Sequence, residues 1–205
     1  MNETVEKITY HRDYAGAKLG MWLFLLTELG LFFGPLLLYV MHAIRHPEAF
    51  HAAAMGLDKN IGLINTLILL TSSLTAALSV ASIRRGKGEL TLIFIFVTVA
   101  LGGIFLVNKY FEWMGKIAHG IYPGGEAFAA LPPGEAVFYG LYFFATGLHG
   151  LHVIAGMLAL AIAAAFTATG TVNKRDFVKL ENAALYWHLV DVIWIFLFPF
   201  FYLIS

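Results

Sequence analysis

The sequence predicts an all-α fold: a bundle of five transmembrane helices, N-terminus inside and C-terminus outside, forming one integral membrane domain over residues 1–205. Three observations predict it. Apolar residues make up 60% of the chain and mean hydropathy is +0.77, outside ordinary soluble composition. Five apolar stretches each reach the roughly 20 residues that cross a bilayer core of about 30 Å. Basic residues gather on alternate connections, as they do where cytoplasmic loops retain Lys and Arg.

The first helix is expected at about 19–44, where Glu28 is the lone Asp, Glu, Lys or Arg. The second, at about 60–83, is free of such charge from Ile61 onward, and the third, at about 89–114, meets Lys109 and Glu112 only late. The fourth, at about 137–168, lies in an uncharged run from Ala136 to Gly170, too long for one perpendicular span, so it must tilt or protrude. The fifth, at about 182–204, holds Asp191 alone. Helices are expected because they satisfy their own backbone polar groups in lipid.

The breaks are short: His46 to Asn60 with Pro47, the RRGKGE run Arg84 to Glu89, Gly115 to Glu135 with PGG and LPPG, and Thr171 to Asn182. None has room for a folded soluble domain, and no internal repeat is visible. Nine basic residues fall on one side: Lys7, Arg12, Lys18, Arg84, Arg85, Lys87, Lys174, Arg175 and Lys179. Four fall on the other: Arg45, Lys59, Lys109 and Lys116. This asymmetry is what sets the predicted orientation.

Composition also excludes. Thirteen Lys+Arg balance thirteen Asp+Glu, so no basic footprint for nucleic acid exists. There is no cysteine, which removes disulfides, thiolate-bound copper, iron–sulfur clusters and covalent c-type haem attachment. Residues Met1 to Lys18 mix Glu3, Glu6 and Asp13 with Lys7, Arg12 and Lys18, unlike a basic signal or an acid-poor transit peptide, so no cleaved targeting segment is expected.

An acidic side chain near mid-bilayer costs about 2.5–3.5 kcal/mol on insertion scales, so Glu28 and Asp191 are functional candidates. Glu28 stands about 15 Å from the inner end of its helix by helical rise, with Asp191 at similar depth and Glu112 toward the outer surface. For Glu28 two readings stay open: a protonated acid hydrogen-bonded between helices, or a group that handles protons or lipid headgroups. On the fourth helix, Ala145, His149, His152, Gly156, Ala159 and Ala163 share one small, polar face, where the imidazoles would donate hydrogen bonds across a close helix interface. His188 and Asp191 share a face at i, i+3, so the carboxylate could orient the ring. Asn65, Ser72, Ala76 and Ser79 make a comparable stripe, read as interhelical glue.

Metal or haem ligation by His149, His152 and His188 is the sharper reading, and geometry opposes it. His152 and His188 differ in depth by roughly 14 Å, whereas paired haem ligands need one depth. Di-iron enzymes need paired Glu-x-x-His motifs or many more histidines. No metal site is expected. Trp22, Trp113, Tyr122, Tyr186 and Trp187 fall near predicted helix ends, as interfacial anchors do, and most phenylalanines are read as lipid-facing. Pro35 and Pro199 should kink their helices and open a lipid-filled groove.

With these residues assembled, the chain resembles subunit III of haem-copper oxidases. ATGLHGLHVIAG (Ala145 to Gly156) resembles the family's Gly-Phe-His-Gly-Leu-His-Val signature, with Leu148 in place of the usual aromatic, and YWHLVDVIWIFLF (Tyr186 to Phe198) resembles its terminal-helix signature. GMWLFLLTELGLFFG (Gly20 to Gly34) resembles the helix with the family's buried glutamate, at Glu28. KYFEW (Lys109 to Trp113) resembles its Glu-Tyr or Glu-Trp element, at Glu112, and INTLILLTSS, ending at Ser73, extends the likeness to all five helices. Longer members have seven helices, and this chain looks like the short bacterial form. The outer loop with PGG and LPPG matches no family pattern.

The resemblance implies an accessory subunit without cofactor or catalytic residues of its own, haem and copper residing in partner subunits I and II. It implies packing against subunit I, structural phospholipid between helices, support of proton uptake during reduction of O2 to water, and residence in the bacterial inner membrane. Glu28 is the implied proton or lipid residue, with Asn65, Glu112, His149, His152, His188 and Asp191 an interhelical polar network. A quinol oxidase or nitric oxide reductase assembly is the nearest alternative. A free-standing transporter is disfavoured by five helices without a repeat.

Overall fold

The computed structural model describes residues 14–203; the reading of the segment before Tyr14, with Lys7 and Arg12, lies outside them. Among these described residues seven helices follow in order: α1 (Tyr14–Arg45), α2 (Pro47–Met55), α3 (Lys59–Arg84), α4 (Gly88–Ala118), α5 (Glu126–Ala129), α6 (Pro133–Ala168) and α7 (Val178–Tyr202). No strand occurs among the described residues. Five helices, α1, α3, α4, α6 and α7, are long and apolar enough to cross a membrane.

Local sequence sets the ends. Asp58 caps α3 by accepting from the Asn60 and Ile61 amides at 2.8 and 3.2 Å, satisfying donors the first helical turn leaves over. At its other end the RRGKGE run turns through Gly86 at φ 76°, a conformation open to glycine without a Cβ clash. The first break contains a helix that hydropathy gave no reason to expect: α2, begun by Pro47 at its first position, where a missing N–H costs nothing. It packs on the start of α6, a 36-residue helix that is longer by helical rise than a bilayer core is thick.

The most extensive helix pairing is α3 with α4, and α7 packs against α1, α3 and α6. Helix α7 is the core element. Trp187 and Trp194 are fully buried, and Trp187 lies over two glycines, where an added Cβ would come within 2.6 Å of the ring at Gly102 and 2.8 Å at Gly156. Small residues allow this approach, which drives helix association in lipid where no hydrophobic effect does. The expectation that Tyr186 and Trp187 are interfacial anchors is therefore corrected: both are buried, because the helix runs on in register from Val178 and carries them into the bundle. Trp22 and Tyr122 are exposed. Many phenylalanines are also core: Phe32, Phe50, Phe105, Phe138 and Phe201 are buried in edge-to-face ring clusters rather than turned to lipid.

Helix α1 is the most loosely held span. It buries only Leu25, Phe32 and Tyr39 and packs on α6, α7 and α2. Both helices continue through Pro35 and Pro199, and beside these prolines α1 and α7 leave an apolar cleft of about 430 Å³ lined by Phe32, Phe33, Leu36, Ile193 and Phe200.

Candidate functional site

The intramembrane polar residues fall into four groups. The first joins α1 to α6. Glu28 Oε2 is 2.7 Å from His152 Nε2, with the side chains 14% and 13% exposed, and His152 Nδ1 lies 2.7 Å from the Leu148 carbonyl. Nδ1 donates to that carbonyl, so Nε2 faces the carboxyl either as acceptor from the acid or as donor to the carboxylate. Phe32 packs edge-on against His152 at 5.1 Å. Below the pair, α1, α6 and α7 enclose an apolar cleft of about 520 Å³ lined by Phe24, Ala155, Ala159, Phe166, Lys179 and Tyr186.

His149 shares the small stripe with His152 but not its role. It is fully buried, and neither ring nitrogen has a hydrogen-bond partner among the described residues. Its ring stands between Phe105 at 5.4 Å and Trp194 at 5.2 Å. The expected cross-helix hydrogen bond is thus replaced by ring packing, because the opposing faces of α4 and α7 present aromatics there.

The second group lies between α3 and α7. Ser73 Oγ is 2.7 Å from His188 Nδ1, Trp187 Nε1 donates to Ser72 Oγ at 3.0 Å, and Trp194 Nε1 donates to Thr66 Oγ1 at 3.0 Å. His188 is therefore oriented by Ser73 and not by Asp191. Both Asp191 oxygens lack a bonded partner among the described residues, since the i, i+3 pair shares a side of the helix but α3 supplies the nearer hydroxyl. The stripe Asn65, Ser72, Ala76 and Ser79 is wholly buried on this side of α3. Asn108 Nδ2 donates to Asn65 Oδ1 at 2.9 Å, tying α3 to α4.

Sequence reasoning overlooked the core of the third group. Lys109 and Glu112 are 7% and 9% exposed and paired at 3.0 Å. Lys109 Nζ also donates to the Tyr142 and Tyr202 hydroxyls at 2.9 and 3.0 Å, and both hydroxyls donate to Glu112 Oε1 at 2.8 and 2.6 Å. Lys109 thus belongs to the bundle, not to the outer charge count, which leaves three basic residues there. Glu112 lies in the last turns of α4 and is buried there. A signal existed: a lysine three residues before a glutamate in a helix is an i, i+3 pair.

The fourth group closes the opposite ends of three helices. Glu181 in the first turn of α7 meets Lys18 of α1 at 3.0 Å and Arg84 of α3 at 2.8 Å. One Glu-x-x-His spacing occurs, Glu48 and His51 on α2, but a di-iron site needs it paired. No group of three or more His, Asp or Glu side chains suited to a metal ion occurs among the described residues.

Five apolar helices joined by buried polar groups define a multi-pass membrane protein. Residues 5–205 match the family described as Cytochrome c oxidase subunit III. A probable quinol oxidase subunit 3 from Staphylococcus haemolyticus is 32% identical over 92% of this chain and 89% of its own length. A cytochrome c oxidase subunit 3 from Allomyces macrogynus is 30% identical over 96% of this chain and 71% of its own. A protein of Aeropyrum pernix named heme-copper oxidase subunit I+III is 29% identical over 90% of this chain and 22% of its own length. The chain belongs to the cytochrome c oxidase subunit III family and is a haem-copper oxidase subunit III, part of a respiratory oxidase complex.

Proposed function

We propose that this chain is the cofactor-free, non-catalytic third subunit of its oxidase, placed in a bacterial plasma membrane with its N-terminus in the cytoplasm as one integral membrane domain. It packs on subunit I within an assembly that also holds subunit II, the haem and the copper, and that translocates protons as O2 is reduced to water. The joined name of the Aeropyrum pernix protein supports a direct subunit I partnership. Phospholipid fills the clefts beside α1, whose walls are almost wholly apolar. Asn65, Glu112, His149, His152, His188 and Asp191 keep the helices in register around the proton-supporting carboxyl, Glu28.

One observation carries this reading: a carboxyl and an imidazole held at 2.7 Å inside the membrane-crossing segments, joining α1 to α6. Intramembrane ionisable pairs are expensive and mark proton or substrate handling. Glu28→Gln in the whole oxidase is expected to leave initial turnover near wild type while shortening the active lifetime or slowing proton uptake. Unchanged lifetime and uptake under prolonged turnover would overturn it.

A quinol-linked assembly is the second reading, favoured by the near full-length match to the Staphylococcus haemolyticus protein. Comparing turnover of the purified complex on quinol and on reduced cytochrome c distinguishes the two.

A further inference from the structure

Arg84 and Arg85 end α3 at the rim of a cleft of about 440 Å³ between α3 and α7. Its wall is otherwise small and apolar, formed by Ala77, Val80 and Ala81 of α3 with Ala184 and Leu185 of α7. Half-buried His188 lines it too, with Nδ1 held 2.7 Å from Ser73 Oγ. Ala77 stands seven residues before Arg84 and His188 seven after Glu181, so the slot runs about 10 Å inward from the rim by helical rise.

Charge at the rim is not balanced. Glu181 is the acid that lines the cleft, and it is shared by Arg84 at 2.8 Å and Lys18 at 3.0 Å. Arg85 is exposed and has no ion pair among the described residues. Lys174 reaches across the same turn, its Cδ 3.7 Å from where a Cβ on Gly86 would stand. A zwitterionic headgroup brings a cation of its own to this excess and does not relieve it. A phosphodiester without one does, because a guanidinium binds its paired oxygens through two N–H donors. The alanine-lined slot below offers a soluble anion nothing, but it takes an acyl chain whose phosphate then sits at the rim.

We propose that this cleft is a site for one anionic phospholipid of the leaflet on the Arg84 side, its phosphate on Arg84 and Arg85 and an acyl chain along Ala77, Ala81 and Ala184. Ser73 donates to His188 Nδ1, so Nε2 carries the ring proton and donates to an ester carbonyl of the same lipid. The site goes beyond the two apolar clefts already filled with phospholipid beside α1, whose linings hold one charged side chain, Lys179.

The test is native mass spectrometry of the assembled oxidase released from nanodiscs of phosphatidylcholine that contain phosphatidylglycerol at increasing mole fraction. Arg85→Gln is expected to need about fivefold more phosphatidylglycerol to retain one molecule that wild type holds, the share of one basic side chain at an anionic surface. Ala81→Leu, which fills the slot and keeps every charge, is expected to lose that molecule. Lys179→Gln, in the cleft between α1, α6 and α7, is expected to keep it. Wild-type retention in both Arg85→Gln and Ala81→Leu would overturn the site, as would loss of the same lipid in Lys179→Gln. Weaker retention in Arg85→Gln with none lost in Ala81→Leu, and release by inorganic phosphate alone, would give the guanidiniums to a soluble anion and overturn the lipid.

Discussion

At the scale of single residues, Lys109 and Glu112 stand closest to an all-or-none outcome. Each of the two tyrosines bonds both charges, so removing one partner strands the other in the bundle. Lys109→Met is expected to destabilise the subunit by about 3–5 kcal/mol, the usual cost of breaking a buried pair. Adding Glu112→Gln should recover much of that loss, because an uncharged pair needs no counter-charge. Reversible unfolding in mixed detergent micelles measures both, and equal stability of Lys109→Met and wild type would refute the coupling. The sequence marked Glu28, Glu112 and Asp191 as candidates because a lone acid in an apolar run is conspicuous. It could not show their partners: His152 is 124 residues from Glu28, and Tyr202 is 93 from Lys109. Lys109 was counted with the basic residues of the outer side although it falls within the predicted third helix, because its long-range partners Tyr142 and Tyr202 leave no trace in the local sequence.

At the scale of elements, packing outweighs polar glue. Interhelical hydrogen bonds in membranes are worth about 0.6 kcal/mol on average, so the bonds from Trp187 to Ser72 and Trp194 to Thr66 specify register more than they supply stability. The seat of Trp187 on Gly102 and Gly156 is a larger matter. Gly102→Ala would set a Cβ 2.6 Å from the ring, and overpacking of this kind costs about 1–3 kcal/mol. The substitution is expected to lower the thermal midpoint in detergent, and Trp187→Phe in the same chain should restore part of it by clearing space. No effect of Gly102→Ala would mean that α4 and α7 part easily. The helices themselves were legible from apolar length, and the small stripes from their spacing of three and four. Helix α2 was not, since nine residues with mixed polarity carry no membrane signal and gain their order by lying on α6.

At the scale of the whole molecule, orientation follows from charge. With Lys109 withdrawn into the bundle, the loops and ends carry nine basic residues on one side against three on the other, a steeper asymmetry than the nine-to-four count that includes Lys109. Translocation is resisted by Lys and Arg in short loops, so the segment between α6 and α7 should face the cytoplasm and the segment holding α5 the opposite side. The chain has no cysteine, so each introduced thiol is a unique probe. Lys174→Cys and Glu126→Cys both fall at exposed positions. A membrane-impermeant maleimide applied to intact cells whose outer face is accessible is expected to label Glu126→Cys and to reach Lys174→Cys only after the membrane is opened. Lys109→Cys should resist labelling from either side, because position 109 is buried between Tyr142 of α6 and Tyr202 of α7. The reverse pattern at positions 126 and 174 would turn the molecule over in the membrane, moving the Glu181 cluster and the cleft beside Arg84 away from the cytoplasm.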